Sequence, residues 1–477
     1  MSSTVEKNPL ISLYQSFDKS DGRRLGKWLD GPTHNQREDV RALHAYLTGN
    51  DDRLYETSAL TKTRIWKRIF PGEDFDDARL RQTFHWALKA TEAFIAYEHW
   101  NGRAINPQLS LISGLRQRGL LSATQRSIRK ARQLQERATI RNETFHRSQY
   151  QLELEYDEYR VYHQLLEKPR FQEIADSLDL SYLIEKLKVS CNMLFHARVY
   201  REEFDVHFLD EVLEYVRRFD LDKYPALAIY FYIYRGFTEA DEQGENISLL
   251  RDTVSTHGDS LTAIDRRYVF LMAINICISN MNLGQEAYIR ESFEWYRLGL
   301  EQDVIAKHGQ MTRTTYLNIV SNAIKLKEYD WTAGFIETYT HQLEEDVREN
   351  TERFARARLG YEQKDYDTIM PLLVQVDFKH PVYNLLAKTL LLKIYYELDE
   401  YDALDSQIDS MMTYIRRKEL SDLHRDNFNN IARLTRQLSR IGPGRKGKLT
   451  ALRKKVEATS PLSDKKWLLE QIDEFGL

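Results

Sequence analysis

Glu328-Tyr329-Asp330, Asp365-Tyr366-Asp367 and Glu400-Tyr401-Asp402 repeat one pattern, an acid, a tyrosine and an aspartate. Each follows one apolar helical stretch and precedes another. Tyr329 to Tyr366 is 37 residues, and Tyr366 to Tyr401 is 35. Upstream, Tyr288 follows Asn282-Leu283-Gly284 and lies 41 residues before Tyr329. Phe204, in Arg201-Glu202-Glu203-Phe204-Asp205, precedes Tyr288 by a further 84, two steps of 42. The turn skipped by that double step falls at Glu242-Gln243-Gly244-Glu245-Asn246. A helix pair of this length cannot bury its apolar faces alone, so neighbouring pairs must stack. The pattern predicts about six helical hairpins over residues 181–440. The aromatic is expected to wedge between the two helices, with the adjacent Asp capping the second. In the last of them Leu391, Ile394, Tyr395 and Leu398 share one face, and after the turn Leu404, Ile408 and Met411 line the next.

Outside the array, residues 1–102 read as an N-terminal helical domain. Leu43, Tyr46 and Leu47 line a helix that ends near Thr48-Gly49-Asn50-Asp51. Thr61 to Phe70 form a short helix stopped by Pro71-Gly72, and Leu80, Phe84, Ala87, Leu88, Phe94 and Ile95 keep largely to one face of the next. Residues 103–180 read as one or two long, charged connector helices, interrupted at Pro169. Residues 441–477 read as a basic loop followed by a capping helix, in which Trp467 closes the apolar end of the array. The fold class is thus all-α, an α-solenoid of helical hairpins behind an N-terminal helical domain. Only 20 Gly and 10 Pro in 477 residues, with few segments that read as alternating β-branched strands, agree with it.

The hairpin residues resemble the tetratricopeptide repeat, in which an aromatic follows the inter-helix turn in the same way. The resemblance covers roughly residues 180–440. Tyr395, Tyr401 and Ile408 stand where that family has its large apolar positions, whereas Leu392 and Ile369 replace residues that the family keeps small. It implies a binding architecture, and no groove residue of the family carries over. The stretch Leu60 to Gly72, with Asp77-Ala78-Arg79-Leu80, is similar to bacterial helical-repeat proteins of unknown activity, which implies an architecture only.

Composition bounds the function classes. A hydrophobic fraction of 42% with 29% charged residues describes a folded, soluble chain. No apolar run approaches the roughly 20 residues that span a bilayer, and Met1 to Leu10 lack the order of a signal peptide. Cys191 and Cys277, far apart in apolar helical patterns, read as small buried hydrophobes, so a reducing cytoplasm is expected. Net charge is −4 but uneven. Arg103 to Arg147 hold ten basic and two acidic residues, and Arg416 to Lys455 hold thirteen and three.

No coherent catalytic set emerges. Gly442-Pro443-Gly444-Arg445-Lys446-Gly447-Lys448 satisfies the Gly-x4-Gly-Lys core of a phosphate loop. Leu449 takes the Ser/Thr position, however, and the motif follows a helix, not a strand, so it reads as a basic inter-helix loop. Glu143-Thr144-Phe145-His146 is a single ExxH pair, and a di-iron bundle needs two. Asp77 to His99 after Thr61 to Phe70 makes a poor recognition helix, with a long turn and few basic residues. The run Ala228 to Tyr234 reads as a helix buried by its neighbours in preference to an exposed aromatic groove.

Arg126, Arg129, Lys130 and Arg137 would line one helix face and, with Arg445, Lys446 and Lys448, form the candidate basic patch for phosphate contacts. The structural turn residues are Phe204, Tyr288, Tyr329, Tyr366 and Tyr401. The expectation is a non-enzymatic scaffold without cofactor or metal, off the membrane, binding an unidentified protein or peptide. A nucleic-acid-associated regulator using regions 103–147 and 416–455 is the alternative.

Overall fold

The computed structural model describes residues 4–49, 54–166, 168–200, 202–306, 309–441 and 445–474. Among them the chain is all helical, with 23 α-helices and only isolated bridges, Thr4 to Thr61 and Met311 to Leu343. It divides into two compact units, Met1–Ser181 and Tyr182–Leu477.

The first unit contains α1 (Pro9–Gln15), α2 (Lys19–Asp30), α3 (Glu38–Thr48), α4 (Lys62–Ile69) and α5 (Asp77–Asn101). These enclose one core, in which Leu43, Tyr46, Leu47, Ile65, Trp66, Leu80, Phe84 and Phe94 are buried. Asp76 starts α5 as a side-chain cap, accepting from the N–H groups of Ala78 and Arg79.

The expected long connector is instead three helices, α6 (Ile105–Gln117), α7 (Leu121–Glu136) and α8 (Glu143–Tyr162). They pack on one another around Ile112, Ile128, Ala131, Leu152 and Tyr159. Two local devices break the continuous helix. Gly119 takes φ +68 and ends α6, with Leu120 N–H on the Leu115 carbonyl. Asn142 caps α8 through Thr144 N–H and Phe145 N–H. Helix α9 (Phe171–Tyr200) carries the chain across the boundary between the units.

The second unit continues with α10 (Leu209–Val216), then α11 (Pro225–Thr238), α12 (Glu245–His257), α13 (Ala263–Asn282) and α14 (Ala287–Glu301). It goes on through α15 (Arg313–Lys325), α16 (Tyr329–Tyr339), α17 (Glu345–Glu362), α18 (Tyr366–Val374), α19 (Pro381–Glu397) and α20 (Tyr401–Arg417). It closes with α21 (Asp422–Ser439), α22 (Lys446–Ala458) and α23 (Lys465–Glu474). Consecutive helices pack in pairs from α11/α12 to α21/α22, and odd-numbered helices touch the next odd-numbered one at α11/α13, α15/α17, α17/α19 and α19/α21. The paired packing therefore runs past residue 440, and the segment after it holds two helices where a loop and one helix were expected. Gly442, Pro443 and Gly444 lie outside the described residues, as do Asn50, Asp51 and Arg201.

Four of the repeat turns are built alike, and Asp303 closes α14 in the same way, with its N–H on Leu300 and that of Val304 on Gly299. Gly284, Lys327, Lys364 and Asp399 each adopt a left-handed conformation, φ between 57 and 86. In each, that residue's N–H bonds the carbonyl three back and the next N–H bonds the carbonyl five back, as in Glu328 N–H to Ala323 at 2.9 Å and Glu400 N–H to Tyr395 at 2.9 Å. This is the Schellman closure, which satisfies the orphan carbonyls of the first helix and sends the chain back. The expected aspartate caps are not formed. Asp330, Asp367 and Asp402 lie in the first turn of the second helix, and no side-chain cap bond is made there. Their carboxylates act on the helix dipole instead.

Candidate functional site

The turn aromatics divide by depth. Tyr288 is fully buried, Tyr329 and Tyr366 are half-buried, and Tyr401 is exposed. Phe204 departs from the expectation: it is exposed, lies outside any helix, and precedes α10 by a short irregular segment. An aromatic beside acids is a generic pattern, and the left-handed residue nearest to it among the described residues, Phe208 at φ 58, starts α10 and does not close α9. The Gly244 turn is also of another kind. Asp241 caps α12 there through the N–H groups of Glu245 and Asn246, 3.0 and 2.8 Å.

The aromatic run 228–234 lies in α11 with Ala228, Ile229, Tyr230, Phe231 and Ile233 buried. Cys191 is a free, buried thiol that donates to the Tyr230 carbonyl at 3.3 Å, and Cys277 is likewise free and buried. Burial raises the pKa of both thiols.

The basic candidates fall in two units. On α7 Arg126, Arg129 and Lys130 are exposed opposite the buried Ser127, Ile128 and Ala131, and Arg137 is the exposed C-cap. Among the described residues none of the four makes a salt bridge. Their neighbours in sequence do. Arg116 holds Glu155 at 2.9 Å and Glu158 at 2.5 Å, and Arg132 holds Glu153 at 3.2 Å, so α8 neutralises the inward side of this charge run. In the second unit Arg445, Lys446 and Lys448 are exposed at the start of α22, as N-cap and first turn of a helix and not as a loop. Arg436 and Arg453 of the same basic region are paired, with Asp405 and Asp409 and with Glu457 and Asp473.

Glu143 and His146 share the first turn of α8, and among the described residues no three of His, Cys, Asp and Glu converge as metal ligands. No described helix is long and apolar enough to cross a membrane. In the first unit a cleft of about 850 Å³ is lined by Tyr14, Asp18, Gly22, Gly26 and His44 among others. The Tyr14 hydroxyl bonds His44 Nδ1 at 2.9 Å. Burial raises the Tyr14 pKa and lowers that of His44, so both stay neutral near pH 7.

A polar constellation lies where α19 and α21 meet the C-terminal segment, with α17 joined to it through Glu397, and sequence reading missed nearly all of it. Glu397, at the end of α19, accepts from the hydroxyls of Tyr361 and Tyr366 and from Trp467 Nε1–H, the last at 2.7 Å. Trp467 is buried and meets Tyr396 edge-on, ring centroids 5.6 Å apart. Lys393, one turn before Glu397, pairs with Asp464 at 3.3 Å and lies over the rings of Tyr361 and Trp467 at 4.5 and 5.4 Å.

On α21 Asn427 reads Ser463 twice: its Oδ1 accepts from the backbone N–H at 2.7 Å and its amide donates to the hydroxyl at 3.1 Å. Asn430 donates to the Pro461 carbonyl at 3.0 Å. From α17, Arg358 donates to Ser321 of α15. Burial lowers its pKa, and the charge of Asp464 acts in the opposite direction. This arrangement binds main chain, one carboxylate and one indole, and it presents no activated nucleophile.

The chain matches no family model, no curated protein and no solved structure.

Proposed function

We propose that this chain is a non-enzymatic scaffold of the cytoplasm, in which α11 to α22 form an α-solenoid of tetratricopeptide-like hairpins that binds a protein or peptide partner. The observation that carries the reading is the packing of consecutive helices in pairs from α11/α12 to α21/α22, joined by a series of four hydrogen bonds whose step is nearly constant. Arg251 reaches Glu291, Arg290 reaches Glu328, Arg358 reaches Ser321 and Tyr361 reaches Glu397, across 40, 38, 37 and 36 residues. Partners at nearly equal intervals are what stacked supersecondary units require. The step shortens along the chain, as the sequence spacing does. Support for binding over catalysis comes from the polar groups at α17, α19 and α21, which suit main-chain and side-chain capture. The test is affinity capture from native extract at low and high salt, followed by assay of the purified chain for turnover. A reproducible activity lost on one polar substitution would overturn the reading.

A second reading has its own observation, the unpaired cationic face of α7. Under it the protein would hold nucleic acid through phosphate contacts, with affinity falling steeply as salt rises.

A further inference from the structure

The segment between α22 and α23 has little to span, since those helices pack directly on each other. It is nevertheless held along its length by side chains from α21 and α19. Asn430 takes the Pro461 carbonyl, Asn427 takes both the N–H and the hydroxyl of Ser463, and Lys393 takes Asp464. Three residues further on, Trp467 enters the core formed by α19 to α22 and gives its N–H to Glu397. Two asparagines reading main chain, one cation reading a carboxylate and one aromatic slot make up the chemistry of peptide recognition.

Without residues 461–467, Asn427 would lose its bonds to Ser463 and Lys393 its ion pair. Arg358, already partly withdrawn from water, would lose the nearby charge of Asp464. A buried or half-buried polar group left without a partner is costly, so this face calls for an occupant.

We propose that the face formed by α17, α19 and α21 recognises an acidic, aromatic segment of a partner protein, and that residues 461–467 occupy it as an internal copy of that ligand. The matching ligand is extended through a Ser-Asp pair, with the Asp opening an amphipathic helix and an aromatic three residues after it. Charge complementarity fixes the acid, through the ion pair with Lys393, and the acceptor oxygens of Glu397 fix an aromatic bearing an N–H. The inference rests on the scaffold reading. It adds which face binds, what chemistry it selects, and that binding competes with the chain's own segment. A competing internal ligand at high effective concentration sets a threshold that a partner must exceed.

The test uses a fluorescein-labelled peptide of residues 459–472 and the full chain, read by fluorescence anisotropy. Asp464→Asn combined with Ser463→Ala loosens the internal segment with little change in volume, and circular dichroism with thermal melting reports whether that chain remains folded. The loosened chain is expected to bind the peptide at least tenfold more tightly than wild type, by about 1.4 kcal/mol. Adding Lys393→Ala or Asn427→Ala is expected to remove that gain, and a peptide with Ala for Asp464 is expected not to bind. A folded, loosened chain that does not bind the peptide, or binding that ignores Lys393 and Asn427, overturns the proposal. If the double variant does not fold, hydrogen exchange on wild type with excess peptide decides the matter: faster exchange at 461–474 supports displacement, and unchanged exchange at saturating peptide overturns it. A chain that captures protein partners yet fails these tests loses this inference alone, whereas a chain with no macromolecular partner loses the scaffold reading as well.

Discussion

Lys327, Lys364 and Asp399 sit at φ 61, 57 and 58, a conformation in which an L side chain is strained and glycine is not. Gly284, at φ 86 in the equivalent turn, has no atom within 4 Å of an added Cβ, so only backbone strain separates it from the others. Lys364→Gly is therefore expected to raise the free energy of unfolding by about 0.5–1 kcal/mol, and Gly284→Ala to lower it by about 1 kcal/mol, both measured by urea denaturation. Histidines give a second prediction. Burial lowers the His146 pKa from 6.5 to about 4, and burial also lowers that of His44. A depressed folded-state pKa means that the unfolded chain takes up the proton first. The contribution is complete above pH 6.5 and is lost as pH falls toward 4. Denaturation midpoints at pH 7, about 5.5 and about 4.5 should fall in that order, and His146→Gln should flatten the decline. The hairpin turns were only half legible in sequence. The acid-tyrosine-aspartate pattern marked the places of three, but the left-handed residue that closes those three is a lysine or an aspartate, which carries no sequence signal, unlike Gly284 in the fourth. Phe204 shared the pattern but lies outside any helix.

At the scale of elements, the second helix of each hairpin lies close to the first, and the contact is decided by single atoms. A Cβ on Gly360 of α17 would stand 2.4 Å from Ile369 Cγ2 on α18. The space for the bulky Ile369 is made across the contact by Gly360. Gly360→Ala should cost about 1–3 kcal/mol, measured by thermal or urea unfolding, and Ile369→Ala in the same chain should recover part of that loss. The knot on Glu397 gives another element-scale test. Glu397→Leu strands the hydroxyls of Tyr361 and Tyr366 and the indole N–H, and should destabilise the second unit by about 2–4 kcal/mol, whereas Glu397→Gln keeps an acceptor oxygen and should cost less. The place of Trp467 as an anchor could be suggested from an amphipathic C-terminal stretch. Its partner Glu397 could not, because the two are 70 residues apart and nothing in local spacing joins them. The connector failed for a related reason: helical charge patterns continue through 103–168, and only Gly119 and Asn142 mark where the chain folds back.

At the scale of the whole molecule, the all-helical class was legible from the scarcity of Gly and Pro and from the 35- to 42-residue rhythm. The uneven charge proved harder to interpret. Arg425, Arg436, Arg440 and Arg453 of the second basic region are paired with carboxylates, and α8 neutralises the inward side of the first, which leaves the outer face of α7 and the start of α22 without salt bridges among the described residues. Reversing the α7 face with Arg126→Glu, Arg129→Glu and Lys130→Glu should leave partner capture by the second unit intact and abolish any salt-sensitive retention of nucleic acid. We propose that the face formed by α17, α19 and α21 of the second unit binds a protein segment. The most direct measurement is quantitative capture from native extract on wild type, on Asp464→Asn with Ser463→Ala, and on that chain with Lys393→Ala, each at about 0.1 M and about 0.5 M salt. The expected result is one set of proteins retained at both salt concentrations, enriched by loosening the segment and lost with Lys393. Retention that is nucleic acid alone, washed away at high salt and indifferent to Lys393, would contradict it.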